Sequence, residues 1–379
     1  MNLQKLSSAD LENKTVLVRA DFNVPIYEGR VLETARLKAL SKTIKFLLQS
    51  NVKQIRLMSH LGRPKLGDKS LSLEFLTPYL EKALGHKVGF GLNSDEKISL
   101  LENLRFDTRE ELNDKGFAQE LSAFGDIFVN DAFSVSHRAH ASVESITHFL
   151  PSYAGLELEK EVFYLEKVLS SSKRPTVAII GGSKVSTKIG VLKNLAKKVD
   201  TLILGGGMAN TFLFAQGFDV GTSLVEKDFK ETALALISTC KERGVDLLLP
   251  CDRAIVENRV RKEINVEDIK PHECFVDIGE KTLHKIDEVL KNAKTILWNG
   301  PVGIFEEEWG AKGTLEIAKL IGKYASPEVL SIAGGGETVA AIYKAKIEQK
   351  LTHISMAGGA FLEYLGGDIL PGIKALEEK

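Results

Sequence analysis

An α/β protein built from two doubly wound, mainly parallel, Rossmann-like sheets is the fold this sequence predicts, and three observations predict it. Short β-branched runs alternate with longer helical patterns along the whole chain, the signature of βαβ units with helices on both faces of a sheet. The 379 residues, 44% hydrophobic and 27% charged, exceed the length at which one core keeps growing, so two domains are expected. The expected strands also fall into two sets of six, which suits two such sheets.

In the first half the strands are expected near Thr15–Ala20, Gln54–Ser59, Lys87–Phe90, Ser99–Glu102, Ile127–Asn130 and Ser145–Phe149. In the second they are expected near Thr176–Ile180, Thr201–Leu204, Asp246–Leu249, Thr295–Trp298, Val329–Ala333 and His353–Met356. The best boundary follows Leu150-Pro151. From Gly155 to Leu169 the apolar positions Leu156, Leu158, Val162, Phe163, Leu165, Val168 and Leu169 keep a helical period. The polar run Ser170 to Pro175 then follows, so a connecting helix ends in a joint. The resulting division is a first domain over 1–154, a helix and hinge over 155–172, a second domain over 173–360 and a tail over 361–379 that closes one domain or the other.

Composition narrows the function. Fifty Lys and Arg against 51 Asp and Glu give a net charge of −1, which argues against a nucleic-acid or membrane footprint covering the protein. Any anion site is therefore local. Cys240, Cys251 and Cys274 lack the close pairing of zinc sites or disulfide frameworks. The first residues form no basic-then-apolar leader, and no run approaches the ~18 apolar residues of a membrane span. A monomer working in the cytoplasm is the expectation.

The two halves punctuate their strands differently. In the first, apolar runs end in Arg and His: Arg19-Ala20-Asp21-Phe22-Asn23, His60-Leu61-Gly62-Arg63, Arg105 and His137-Arg138-Ala139-His140. Ligands of open α/β sheets sit outside the carboxyl ends of strands, so Arg36, His60, Arg63, Arg105 and Arg138 are placed to converge on phosphate and carboxylate. Asp21 and Asn23 are placed for a substrate hydroxyl. A metal site at His137 and His140 has no third ligand at suitable spacing. In the second half the runs end in glycine: Gly181-Gly182-Ser183-Lys184, Gly205-Gly206-Gly207, Asn299-Gly300-Pro301 and Gly334-Gly335-Gly336-Glu337. Glycine turns let backbone approach a nucleotide, and Lys184 and Lys188 are expected to project from one helix face. Neither a P-loop nor a dinucleotide fingerprint is present, which speaks against a nicotinamide-dependent dehydrogenase. Glu306 is placed for a ribose hydroxyl. Glu337 opens a helix, where it complements the dipole or reaches Mg²⁺ directly or through water.

Taken in order, Arg19-Ala20-Asp21-Phe22-Asn23-Val24-Pro25, Ser59-His60-Leu61-Gly62-Arg63-Pro64, Glu102-Asn103-Leu104-Arg105-Phe106, Asn130-Asp131-Ala132-Phe133, His137-Arg138-Ala139-His140 and Trp298-Asn299-Gly300-Pro301-Val302-Gly303 resemble the phosphoglycerate kinase family. The resemblance runs from near the first residue to the last. It implies reversible transfer of the acyl phosphate of 1,3-bisphosphoglycerate to Mg-ADP, giving 3-phosphoglycerate and ATP, with hinge closure and no general base. It implies a phosphoglycerate site of Asp21, Phe22, Asn23, Arg36, His60, Leu61, Gly62, Arg63, Arg105 and Arg138. It implies a nucleotide site of Lys184, Lys188, Gly206, Asn299, Pro301, Gly303, Glu306, Gly335, Gly336, Glu337 and Thr338, with Glu337 nearest the metal. Arg36, Lys188, Gly358 and Gly359 would stabilise the moving phosphoryl. Departures from the family pattern are Glu337 for the usual Asp, Met356 and Ala357 for Thr and Gly, Phe361 for a small polar residue, and Ser134-Val135-Ser136 for a Gly-rich stretch. A protein that binds both ligands without efficient transfer is the alternative those departures suggest.

Overall fold

The structure is a computed structural model that describes residues 2–32, 34–65, 69–170 and 173–378. It divides into two compact units, Met1–Phe163 with Ile369–Lys379, and Tyr164–Asp368. Each is built on its own six-stranded sheet.

The first sheet comprises β1 (Thr15–Arg19), β2 (Gln54–Met58), β3 (Gly89–Phe90), β4 (Ile98–Leu100), β5 (Ile127–Asn130) and β6 (Ser152–Ala154). Its order is β3-β4-β2-β1-β5-β6, parallel throughout. Every residue of β1 is buried, as expected of a central strand covered on both faces. The second sheet comprises β7 (Thr176–Ile180), β8 (Thr201–Leu204), β9 (Asp246–Leu248), β10 (Thr295–Asn299), β11 (Leu330–Gly334) and β12 (His353–Ser355), in the order β9-β8-β7-β10-β11-β12. That is the doubly wound order 3-2-1-4-5-6. Strand order reverses at β1/β5 in one unit and at β7/β10 in the other, the crevices where such sheets bind ligands.

One expected strand is corrected. Ser145–His148 is a 3₁₀ helix, and the sixth strand is Ser152–Ala154, paired with β5 through Phe128↔Ser152. The hydroxyls of the misread segment bond to backbone: Thr147 Oγ1 closes a local turn on Glu144 O (2.8 Å), and Ser145 Oγ donates to the distant Asn113 O (3.0 Å). Such bonds compete with a ladder. A three-stranded antiparallel sheet of Val260–Asn265, Asp252–Glu257 and Asp277–Ile278 adds to the second unit.

The connecting helix spans Leu156–Ser170. Asp131, just beyond β5, caps it: Oδ1 accepts from Glu157 N (2.9 Å) and Leu158 N (3.1 Å). A Cβ at Gly155 would lie 2.3 Å from that oxygen, so glycine is required for the carboxylate to reach the helix end. The expected tail is divided: 361–368 lie in the second unit and Ile369–Lys379 in the first, where Gly372 N donates to Ser136 O (2.9 Å) and Gln4 N to Leu376 O (2.8 Å).

Candidate functional site

In the first unit, Ser59 ties the ends of β1 and β2 together. Its hydroxyl donates to Ala20 O and accepts from Phe22 N, both at 2.9 Å. The side chains of Phe22 and Leu61 are core residues, and their backbone groups are held by Ser59, Val24 and Asn103, so both residues shape the turns. Asn103 carries the next turn, its Nδ2 donating to Leu61 O (2.9 Å) and its Oδ1 accepting from Arg105 N (3.1 Å).

On this frame the expected residues come together. Gly62 N donates to Asn23 Oδ1 (2.9 Å), and Arg105 Nη1 donates to Gly62 O (2.7 Å). Arg36 Nη1 pairs with Asp21 Oδ2 at 2.5 Å, and Ser134 Oγ donates to the same oxygen at 2.6 Å. Electrostatics show the rest of the cluster. Burial first, then Arg138 and Arg63, lower the Arg105 pKa against the raising effect of Glu111. Burial, then Arg19, Arg105, His140 and Arg138, push His60 far below the ordinary imidazole range, and His140 is pushed to about 4 by burial and then by Arg19, Arg105 and Arg138. The field is positive and local, as an anion site needs. His137 accepts from Arg138 Nε (3.2 Å), and among the described residues no group of three His, Cys, Asp or Glu is arranged to hold a metal.

In the second unit the glycine turns press backbone on backbone. A Cβ at Gly181 would lie 2.0 Å from Pro301 O. Gly300, at φ +89°, would meet Gly181 O at 2.4 Å, and Gly206, at φ +70°, would meet Gly182 O at 2.5 Å. Side chains are thus excluded where β7, β8 and β10 end. A cleft of about 280 Å³ opens there, with Gly182, Ser183, Gly206 and Gly207 on one side and Leu224, Phe275, Val276 and Ile304 supplying an apolar wall. Pro301, Gly303, Glu306 and Glu337 also line it, whereas Lys184, Lys188, Asn299, Gly335, Gly336 and Thr338 stand outside its wall.

Lys188 stands at the β7/β10 switch point. Its Nζ donates to Gly181 O and to Asn299 Oδ1, both at 2.6 Å. Burial pulls its pKa down to about 8 while Glu337 opposes the shift. Asn299 Nδ2 donates to Gly334 O (2.7 Å), and Thr338 Oγ1 accepts from Gly300 N (2.7 Å), so both residues hold neighbouring strand ends in register. The two lysines do not share a helix face, because the helix begins at Ile189. Glu226 pins the preceding turn, accepting from Ser186 N (2.9 Å) and Oγ (2.6 Å), and Lys184 is left exposed. Burial and then the neighbouring Glu306 raise the Glu337 carboxyl pKa. Exposed glycines open two helices: Gly336 begins Gly336–Ala345, and Gly358 caps Gly359–Gly366. Free amide ends of this kind suit phosphate.

A model of the phosphoglycerate kinase family matches residues 6–368. The chain belongs to that family. It is 44% identical to the phosphoglycerate kinase of Finegoldia magna over 400 aligned positions covering all of both chains, and 45% identical to that of Moorella thermoacetica over 397. The solved phosphoglycerate kinase of Coxiella burnetii aligns with a TM-score of 0.90 at 37% identity, covering 99% of this chain and 98% of that one. That of Pyrococcus horikoshii aligns at 0.83 and 30%, with the same coverage. A phosphoglycerate kinase is an ATP-dependent kinase, with phosphoglycerate and ADP or ATP as its substrates.

Two departures from the family pattern have visible packing. Phe361 is fully buried and lies 3.0 Å from where a Cβ on Gly334 would sit, so its ring fills space that the glycine leaves. Ser134 bonds Asp21, while Ser136 accepts from Asn130 Nδ2 (3.2 Å) and presents its carbonyl to the tail. Sequence reasoning missed Arg253, a buried arginine in the cleft wall whose Nε donates to Asp277 O (3.0 Å). An Asp252-Arg253 pair directly before the apolar run Ala254-Ile255-Val256 was the available signal.

Proposed function

We propose that the first unit holds phosphoglycerate, that the second holds Mg-ADP or Mg-ATP, and that the acceptor is the carboxylate of 3-phosphoglycerate. The observation that carries this reading is the convergence of His60, Arg63, Arg105 and Arg138 at one set of strand ends with their charges felt by one another. Such a cluster favours a bound anion. Arg36, drawn to Asp21 in the ligand-free chain, exchanges that partner for substrate.

A carboxylate is already ionised at neutral pH, so it attacks the γ-phosphoryl without a general base. Transfer then needs alignment and charge neutralisation. Lys188, Arg36 and the amide ends at Gly335-Gly336 and Gly358-Gly359 carry the charges and donors that would supply both. Mg²⁺ arrives with the nucleotide as part of the substrate. The Glu337 carboxylate fits it, since Mg²⁺ takes one or two protein carboxylates beside phosphates and water, and Glu306 is left for the ribose. Work as a monomer in the cytoplasm, without nucleic acid or membrane, completes the proposal. Among the described residues no helix is long and apolar enough to cross a membrane.

A coupled assay of ATP formation on wild type, Arg36→Ala and Lys188→Ala tests the assignment. Both variants should lose turnover, and wild-type rates in both would remove these residues from the mechanism. Tight binding of both ligands without turnover in wild type would favour the binding-protein alternative.

A further inference from the structure

A buried chain of polar groups stands behind His60. Arg19 is 1% exposed and Glu110 and Ser142 are each 0% exposed. Glu110 accepts from Ser142 at both oxygens, from Oγ at 2.6 Å and from the backbone N at 3.0 Å. The same hydroxyl accepts from Arg19 Nε at 2.9 Å, and Arg19 Nη1 donates to Ala20 O at 2.5 Å. With two edges pinned, the guanidinium aims Nη2 at His60 Nδ1, 3.1 Å away.

A guanidinium has donors and no acceptor and does not lose its proton in proteins. The nitrogen it faces must therefore offer a lone pair, and the proton of a neutral ring then sits on the other nitrogen. Nε2 has no hydrogen-bond partner among the described residues and is not sealed from solvent. We infer that Arg19, held by Ser142 and Glu110, locks His60 as the neutral Nε2–H tautomer, making the ring a fixed uncharged donor to a bound anion. Arg19 is thus a positioning residue that acts through His60.

Every element packed around the ring reinforces this state. Burial acts first; then Arg19 from the end of β1, Arg105 from the turn after β4 and Arg138 from the loop after β5 oppose a positive charge on His60, while His140 beside them is itself held neutral. An ordinary imidazole passes from about nine-tenths charged to about nine-tenths neutral between pH 5.5 and 7.5. This one stays neutral, so the cluster attracts its anion with the same number of charges across that range.

The test reads the ring itself and does not depend on which anion binds. Long-range ¹H–¹⁵N correlation on the whole ligand-free protein, assigned with His60→Gln, should show an unprotonated Nδ1 and a protonated Nε2, unchanged from pH 5 to 8. A proton on Nδ1, or titration of His60 between pH 5 and 7.5 in wild type, overturns the inference whether or not the protein is a kinase. Ser142→Ala removes one tether. Nδ1 should then become partly protonated, and the KM for 3-phosphoglycerate should rise several-fold over wild type at each pH from 5.5 to 7.5, a ratio in which the ionisation of the substrate's own phosphate cancels. This kinetic arm rests on the proposed substrate site. A KM equal to wild type beside a ring of mixed tautomers would sink that site assignment and leave the tautomer intact. If Ser142→Ala does not fold, the wild-type spectrum alone decides.

Discussion

Lys188→Met should separate activity from stability. In the fold the lysine pKa drops from 10.5 to about 8 through burial, which corresponds to about 3 kcal/mol acting against the ammonium at neutral pH. Methionine removes that cost and keeps much of the stem. It also leaves Gly181 O and Asn299 Oδ1, each now 2.6 Å from the amino group, without their donor, at about 1–3 kcal/mol each. The opposing effects leave stability between about 1 kcal/mol above and about 3 kcal/mol below wild type, a Tm change of no more than about 12 °C. Turnover should nevertheless fall about 10²–10³-fold, the cost of removing one preorganised donor from a developing anion. A coupled assay and a thermal melt on the same preparation measure both. Unchanged kcat would refute the role, and so would activity lost in proportion to a collapse in Tm. The pH dependence gives a second check. Above pH 8 the unfolded lysine holds a proton that the folded one has lost, so this group makes stability rise from about pH 8 to 10.5. In Lys188→Met that rise should vanish from the denaturation profile.

Gly300→Ala should destabilise the second unit by about 3 kcal/mol or more, read by denaturant titration. The residue sits at φ +89° and a Cβ would press on Gly181 O at 2.4 Å; a neutral result would mean the two turns can separate. Phe361→Ala should cost about 3–5 kcal/mol by emptying the space against Gly334, and a loss below 1 kcal/mol would show that the ring is not needed as packing. Burial and Glu306 raise the Glu337 pKa, so its carboxyl takes up a proton above the usual acid range. The KM for Mg-ADP should climb toward acid pH, and Glu306→Gln should move that climb to lower pH. Coincident profiles for wild type and Glu306→Gln would remove the coupling between the two acids.

Strand ends were legible because each pairs a short apolar run with an abrupt change of residue type. Arg63, His60 and Gly181 stand out for that reason, and position in an open sheet supplied their meaning. The order of strands was not legible, since β4 enters between β3 and β2 through pairings that leave no local mark. Ser145–His148 was misread because alternating hydroxyl and apolar residues suit a strand as well as a turn until Asn113 and Glu144 are seen to accept from them. Lys184 and Lys188 looked alike by spacing. Only Glu226, some 40 residues along the chain from Ser186, fixes the turn that exposes one and buries the other. Glu110 and Ser142 escaped notice for a related reason: each acts through another residue, and such relays are visible only once the chain has folded.

The first unit is discontinuous, and this bears on the order in which the protein is made. Ala154 N donates to Gln4 O, and Gln4 N donates in turn to Leu376 O, so a segment translated after Asp368 seals a layer begun at the fourth residue. During synthesis domains usually finish from the amino end onward. Here the second-made body has its whole sequence in hand first, while the earlier one waits, with Ser136 and Asn130 lacking their partner at Gly372, for the segment Ile369–Lys379 to be made.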